Sequence, residues 1–113
     1  MRRSKYGVRT DKAGKEARTV DNVLFASMKE AKRYQELKLL ARAGIIWDFV
    51  FRKNLLRYRL VVNDVLISVY EADFRYNSPS GCIVEDTKGF KTPVYRLKKK
   101  LMKAIHGIEI QEV

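Results

Sequence analysis

Asp73, Asp86 and Lys88 are the residues of this chain best suited to chemistry. Asp86 and Lys88 lie two apart in "IVEDTKG" (83–89), a run of β-formers that ends in charge and glycine. Side chains two apart on a strand share a face, so Asp86 and Lys88 point one way and Glu85 the other. In the long preceding strand, Glu71, Asp73 and Arg75 share a face by the same rule. With the two strands adjacent, Asp73 and Asp86 converge on one divalent ion. Hard oxygen donors without histidine suit Mg²⁺ or Mn²⁺ rather than zinc. Beside a lysine on a basic surface, such a pair suits phosphodiester hydrolysis: the ion polarises the phosphate and generates hydroxide, and the ammonium stabilises charge or positions water. Plainer roles exist for each residue. Asp73 can pair with Arg75 or Lys88, Asp86 and Lys88 can form a strand-end ion pair, and a β-bulge would put Glu85 in the place of Asp86.

The bulk composition favours a polyanionic partner. The chain has 113 residues, enough for one core, with 24 Lys+Arg against 13 Asp+Glu and a net charge of +11. Positive charge concentrates at two places, residues 1–18 and the acid-free stretch from Lys88 to Lys103. One cysteine, Cys82, and one histidine, His106, leave no disulfide framework and argue against zinc or Ser-His-Asp chemistry. No apolar run approaches the ~18 residues of a membrane span, and "MRRSKYGVRTDKAGKEARTV" lacks a hydrophobic signal core. The expectation is a cytoplasmic protein without a membrane partner.

Residues 1–20 are polar, basic and without a clean period, and read as a flexible arm before a domain at 21–113. "SMKEAKRYQELKLLARAG" predicts a helix: Ser27 caps it, Glu30 completes a capping box, and Gly44 stops it. Its buried stripe is Tyr34, Leu37, Leu40 and Ala41. Strands are predicted at 45–51, 55–62, 65–76 and 82–88, with Asn63-Asp64 as a tight turn and "NSPSG" (77–81) as a loop. Trp47, between Ile46 and Phe49, reads as core. Thr92 and Pro93 open a second helix whose apolar face is Val94, Leu97, Leu101, Ala104 and Ile105. Gly107 ends it, and "IEIQEV" (108–113) is a last strand. The predicted order is α-β-β-β-β-α-β, an α/β fold with a mixed sheet flanked by helices.

Asp73, a hairpin loop, a hydrophobic strand, Asp86-Thr87-Lys88-Gly89 and then a basic helix together resemble the PD-(D/E)XK nuclease superfamily. Ala72 stands where that motif has proline. The whole chain is similar to a family of small phage and prophage proteins of that type. The shared features are "SMKEAKRYQEL", "ADFRY", "VEDTKG" and the lysine-rich helix, in that order from Phe25 to Val113. The resemblance implies a restriction-endonuclease-like fold. It further implies an Mg²⁺- or Mn²⁺-dependent DNA endonuclease, phage-derived, working in the host cytoplasm on branched DNA during recombination or replication. Asp73, Asp86 and Lys88 would be catalytic. Glu30 would complete the metal site from the first helix, with Glu36 as rival, and the Thr87 carbonyl would ligate the ion. Lys91, Arg96, Lys98, Lys99, Lys100 and Lys103 would track phosphates, aided by Arg2, Arg3, Lys5 and Arg9 of the arm. Cutting both strands symmetrically would call for a homodimer. Because some members of the superfamily have lost catalysis, the alternative is a nucleic-acid-binding protein that keeps only the scaffold.

Overall fold

Four short signals in the chain set the limits of its two long helices. The computed structural model describes residues 11–113. Its α2 (Met28–Arg42) begins where the Ser27 hydroxyl accepts the Glu30 N–H at 3.1 Å. This replaces a partner that the first turn of a helix lacks. Past its end Gly44 takes φ +74°, a conformation that suits glycine. In α3 (Pro93–His106) the Thr92 hydroxyl accepts the Tyr95 N–H at 3.1 Å, and Gly107 closes the helix at φ +67°. Thr92→Ala should cost about 1 kcal/mol, read as a lower urea midpoint. An unchanged midpoint would mean that Pro93 alone sets the start of α3.

The remaining elements are α1 (Lys12–Ala17), β1 (Thr19–Val20), β2 (Val23–Leu24), β3 (Trp47–Val50), a 3-10 turn (Lys53–Leu55), β4 (Arg57–Val62), β5 (Val65–Glu71), β6 (Phe74–Ser78), β7 (Gly81–Asp86) and β8 (Gln111–Glu112). The main sheet has the order β3-β6-β7-β8. It is antiparallel except at β7–β8, a parallel pair whose connection is α3, as parallel pairing requires a crossover. Strands β4 and β5 form a separate ribbon turned by Asn63 and Asp64, both at positive φ. The α/β architecture matches the expectation, with its mixed sheet between helices.

Apolar side chains gather in two clusters, served by alternate residues of β7. Val84 joins Leu56, Leu60, Tyr70, Ala72, Tyr95 and Met102, under the ribbon and α3. Ile83 packs with Phe25, Ala31, Tyr34, Leu37, Phe74 and Tyr76, under α2.

Four expectations need correction. The long strand 65–76 is two strands, because the chain changes partner between them. The Ala72 N–H goes to the Leu56 carbonyl at 3.0 Å, and the Asp73 N–H goes to the Glu85 carbonyl at 3.1 Å. Trp47 is 47% exposed, and its neighbour Ile46 takes the buried place. Of the expected face of α3, Leu101 and Ile105 pack against the core beside the buried Tyr95 and Met102, while Val94, Leu97 and Ala104 face outward. The helix is rotated so that the Tyr95 hydroxyl reaches Glu112 of β8 at 2.9 Å. The arm expected over 1–20 is structured in its second half. There α1 is capped by Asp11, and the buried Arg18 donates to the Ala26 carbonyl at 3.1 Å. Arg2, Arg3, Lys5 and Arg9 lie outside the described residues. Among the described residues no helix is long and apolar enough to cross a membrane.

Candidate functional site

The partner change after β5 places Asp73 against the end of β7. Its Oδ2 accepts both the backbone N–H of Thr87, at 2.7 Å, and the Thr87 hydroxyl, at 2.8 Å. Strand alternation carried on past Asp86 would point the Thr87 side chain away from the site. It turns in because β7 ends at Asp86, and strand alternation does not extend past the last paired residue. The other oxygen of Asp73, Oδ1, accepts from Lys53 Nζ at 2.6 Å.

Asp86 is fully buried. Its Oδ2 accepts the Tyr70 hydroxyl at 2.6 Å, while its buried Oδ1 has no hydrogen-bond partner. The nearest cation to Oδ1 is Lys88 Nζ, 4.0 Å away, on a side chain that is 43% exposed and passes 5.6 Å from the Tyr95 ring centre. A buried acceptor left unpaired is costly, so this oxygen is open to a cation or a hydrogen-bond donor.

Glu30 is buried too, with Oε1 2.7 Å from Lys53 Nζ. Its backbone N–H serves the helix cap and its carboxylate goes to Lys53, so the capping and site readings of this residue coexist. Glu36, its rival, pairs with Arg33 at 3.1 Å near the surface. Lys53 therefore stands between Glu30 and Asp73. Among the described residues no three or more His, Cys, Asp or Glu side chains form a group that could hold a metal. The expected three-acid set is not assembled: Asp73 and Asp86 adjoin, and Glu30 reaches Asp73 through an ammonium.

The two aspartates differ electrostatically. Burial and then the charge of Asp73 push the Asp86 carboxyl up to about 6, against the Tyr70 hydrogen bond and Lys88. Burial also acts on Asp73, but the Lys53 ammonium and the Thr87 donors outweigh it and hold the group below its ordinary value. Glu30 is raised by burial and by Asp73. At neutral pH the pair thus has one firmly ionised member and one that is easily protonated.

Glu85 faces the opposite side of the sheet. It takes a two-pronged contact from Arg33, Nε to Oε1 at 2.8 Å and Nη2 to Oε2 at 2.7 Å, and also accepts the Tyr76 hydroxyl. The β6–β7 register runs unshifted from Ser78↔Gly81 to Phe74↔Glu85, so no bulge exchanges Glu85 for Asp86.

The basic face of α3 is partly neutralised. Glu112 lies 2.8 Å from Lys99 and 3.5 Å from Lys91, and Glu109 lies 3.8 Å from Lys103. The Lys99 hydrogen bond leads the effects that hold Glu112 down at about 2. Together with Tyr95, Arg96 and Lys100 these groups line a cleft of ≈ 490 Å³. Arg96, Lys98 and Lys100 have no ion-pair partner among the described residues. A second cavity of ≈ 590 Å³ shares Glu30 and Lys53 with the site and is floored by Phe25, Tyr34 and Phe51.

Residues 3–111 match a family described as "Protein of unknown function (DUF1064)". The chain belongs to the DUF1064 family. No curated protein and no solved structure matches it. The DUF1064 match spans every element from α1 to α3, so Glu30, Lys53, Tyr70, Asp73, Asp86, Thr87 and Lys88 all fall within it. Two site residues of this DUF1064 chain escape sequence reasoning, Lys53 and Tyr70. Lys53 stands in a polar gap between strands without any motif, and Tyr70 alternates like an ordinary core aromatic.

Proposed function

We propose that this DUF1064 protein is a metal-dependent DNA endonuclease of the PD-(D/E)XK type. The observation that carries the reading is the unpaired, buried Asp86 Oδ1 beside ionised Asp73, with Lys88 4.0 Å away. The mixed sheet between α2 and α3 supports it as well, since a restriction-endonuclease-like core is a mixed sheet flanked by helices.

The residues fit a hard divalent ion, Mg²⁺ or Mn²⁺. Such ions are commonly held by only one or two carboxylates, with waters and substrate phosphate as the other ligands. Asp73 and Asp86 would hold it. When bound, the ion polarises the phosphate and makes hydroxide available at neutral pH. The chain's own residues do the rest. Thr87 fixes the orientation of Asp73, and Tyr70 fixes that of Asp86. Lys88, the half-exposed cation of the site, is free to meet the phosphate and stabilise charge as the phosphorus–oxygen bond to the leaving group breaks. Arg96, Lys98 and Lys100 add sequence-independent phosphate contacts that weaken with salt. Branched DNA in recombination or replication is the favoured substrate class, and cutting both strands symmetrically would require a dimer.

The test is a cleavage panel of supercoiled, single-stranded, flap and four-way-junction DNA, with and without Mn²⁺. Wild type should cut at least one substrate only with the metal. Asp73→Ala and Lys88→Ala should each cut at least about 100-fold more slowly with unchanged circular dichroism. Wild-type rates in both variants would remove the assignment. One observation favours a second reading, a nucleic-acid-binding scaffold without catalysis: three acids are not gathered around one point. That reading predicts salt-dependent DNA binding and no metal-stimulated cutting of any substrate.

A further inference from the structure

We propose that Lys53 is a built-in second cation of this site, so that the chain takes a single divalent ion, at Asp73 and Asp86, rather than two. The inference rests on the nuclease reading and concerns how many ions that site uses.

The geometry is specific. Lys53 Nζ lies 2.6 Å from Asp73 Oδ1 and 2.7 Å from Glu30 Oε1, joining two acids from different elements. Its backbone is fixed by the 3-10 turn, where the Leu56 N–H returns to the Lys53 carbonyl at 3.0 Å. Its ammonium lies 5.9 Å from the centre of the buried Phe74 ring. An ammonium is a compact charge with three donors, able to hold two carboxylates and still offer one N–H outward. Sites that use two metal ions set them about 3.5–4 Å apart between shared carboxylates. Here the place between Glu30 and Asp73 is already taken by a lysine. Neither Glu30 Oε1 nor Asp86 Oδ1 has a hydrogen bond, but Glu30 Oε1 has an ammonium 2.7 Å away, whereas the nearest cation to Asp86 Oδ1 stands 4.0 Å off, so unmet negative charge is left at Asp86. Glu30 then acts as a positioning residue: it holds Lys53, and Lys53 holds the charge beside Asp73.

The experiment counts Mn²⁺ on the full chain by isothermal titration, with electron paramagnetic resonance of free Mn²⁺ as a second measure. Wild type should bind one ion. Lys53→Met, similar in size but uncharged, should bind two and show a larger rise in melting temperature with Mn²⁺, and Lys53→Arg should return the count to one. Glu30 touches Lys53 rather than a ligand, so Glu30→Gln should leave the single site's affinity within about threefold, whereas losing even a direct hydrogen-bond partner of a ligand costs about 10–100-fold. Two ions on wild type, or a tenfold loss in Glu30→Gln, overturn the proposal and leave the nuclease reading standing. No ion on wild type overturns both. If Lys53→Met does not fold, the wild-type count and the Glu30→Gln affinity decide the matter.

Discussion

Asp86→Asn is expected to abolish metal-dependent cutting and, in the same molecule, to raise the stability of the metal-free protein. The sign follows from the direction of the shift. The Asp86 carboxyl is raised from an ordinary 3.8 to about 6, first by burial and then by Asp73. Below pH 3.8 both folded and unfolded chains hold the proton and the group costs nothing. Between 3.8 and about 6 the unfolded chain has lost a proton that the folded chain keeps, so stability falls as pH rises through this window. Above it the penalty is complete, on the order of 3 kcal/mol for a shift of about two pH units. An asparagine carries no such penalty, can still accept the Tyr70 hydroxyl, and offers an N–H toward Asp73.

Urea unfolding of the metal-free proteins should therefore favour the variant by about 1–3 kcal/mol at pH 7, with the gap closing toward pH 4. Mn²⁺ should raise the melting temperature of wild type and not of Asp86→Asn, because only the former gives up a costly buried charge to the ion. A variant less stable than wild type at pH 7 would mean that Asp86 is a structural ion-pair partner. Trading stability for a functional charge is a common pattern at active sites.

What is legible in the sequence depends on the distance over which each signal acts. The limits of α2 and α3 were legible because Ser27, Thr92, Gly44 and Gly107 act on backbone within three or four residues. Asp86 and Lys88 stood out by their local spacing, and Asp73 by its place before the hairpin. The break at Ala72–Asp73 was not legible. It carries no glycine or proline and arises from an exchange of partner strand, which depends on residues 56 and 85. The inward turn of Thr87 depends on where pairing ends, and the rotation of α3 on a hydrogen bond to Glu112. Lys53 was invisible for the same reason. Nothing near it in the chain contains Glu30 or Asp73, and only the folded structure brings them within 2.7 Å.

Arg33→Ala should be the most damaging single change on the other face of the sheet. It removes both donors facing Glu85 and leaves a carboxylate that is 1% exposed with only the Tyr76 hydroxyl. Losing one partner of a buried ion pair costs about 3–5 kcal/mol, more than the pair itself contributes. The guanidinium is raised above its ordinary value chiefly by the Glu85 hydrogen bonds. Replacing both partners with apolar residues, Arg33→Met with Glu85→Leu, should recover most of the loss, since removing both charges avoids the uncompensated one. The same series tests the strand register. Glu85→Gln should cut DNA at the wild-type rate while Asp86→Asn does not, because these neighbours face opposite sides of β7. Cutting lost in Glu85→Gln and kept in Asp86→Asn would move the site to the α2 face and undo the assignment of both acids.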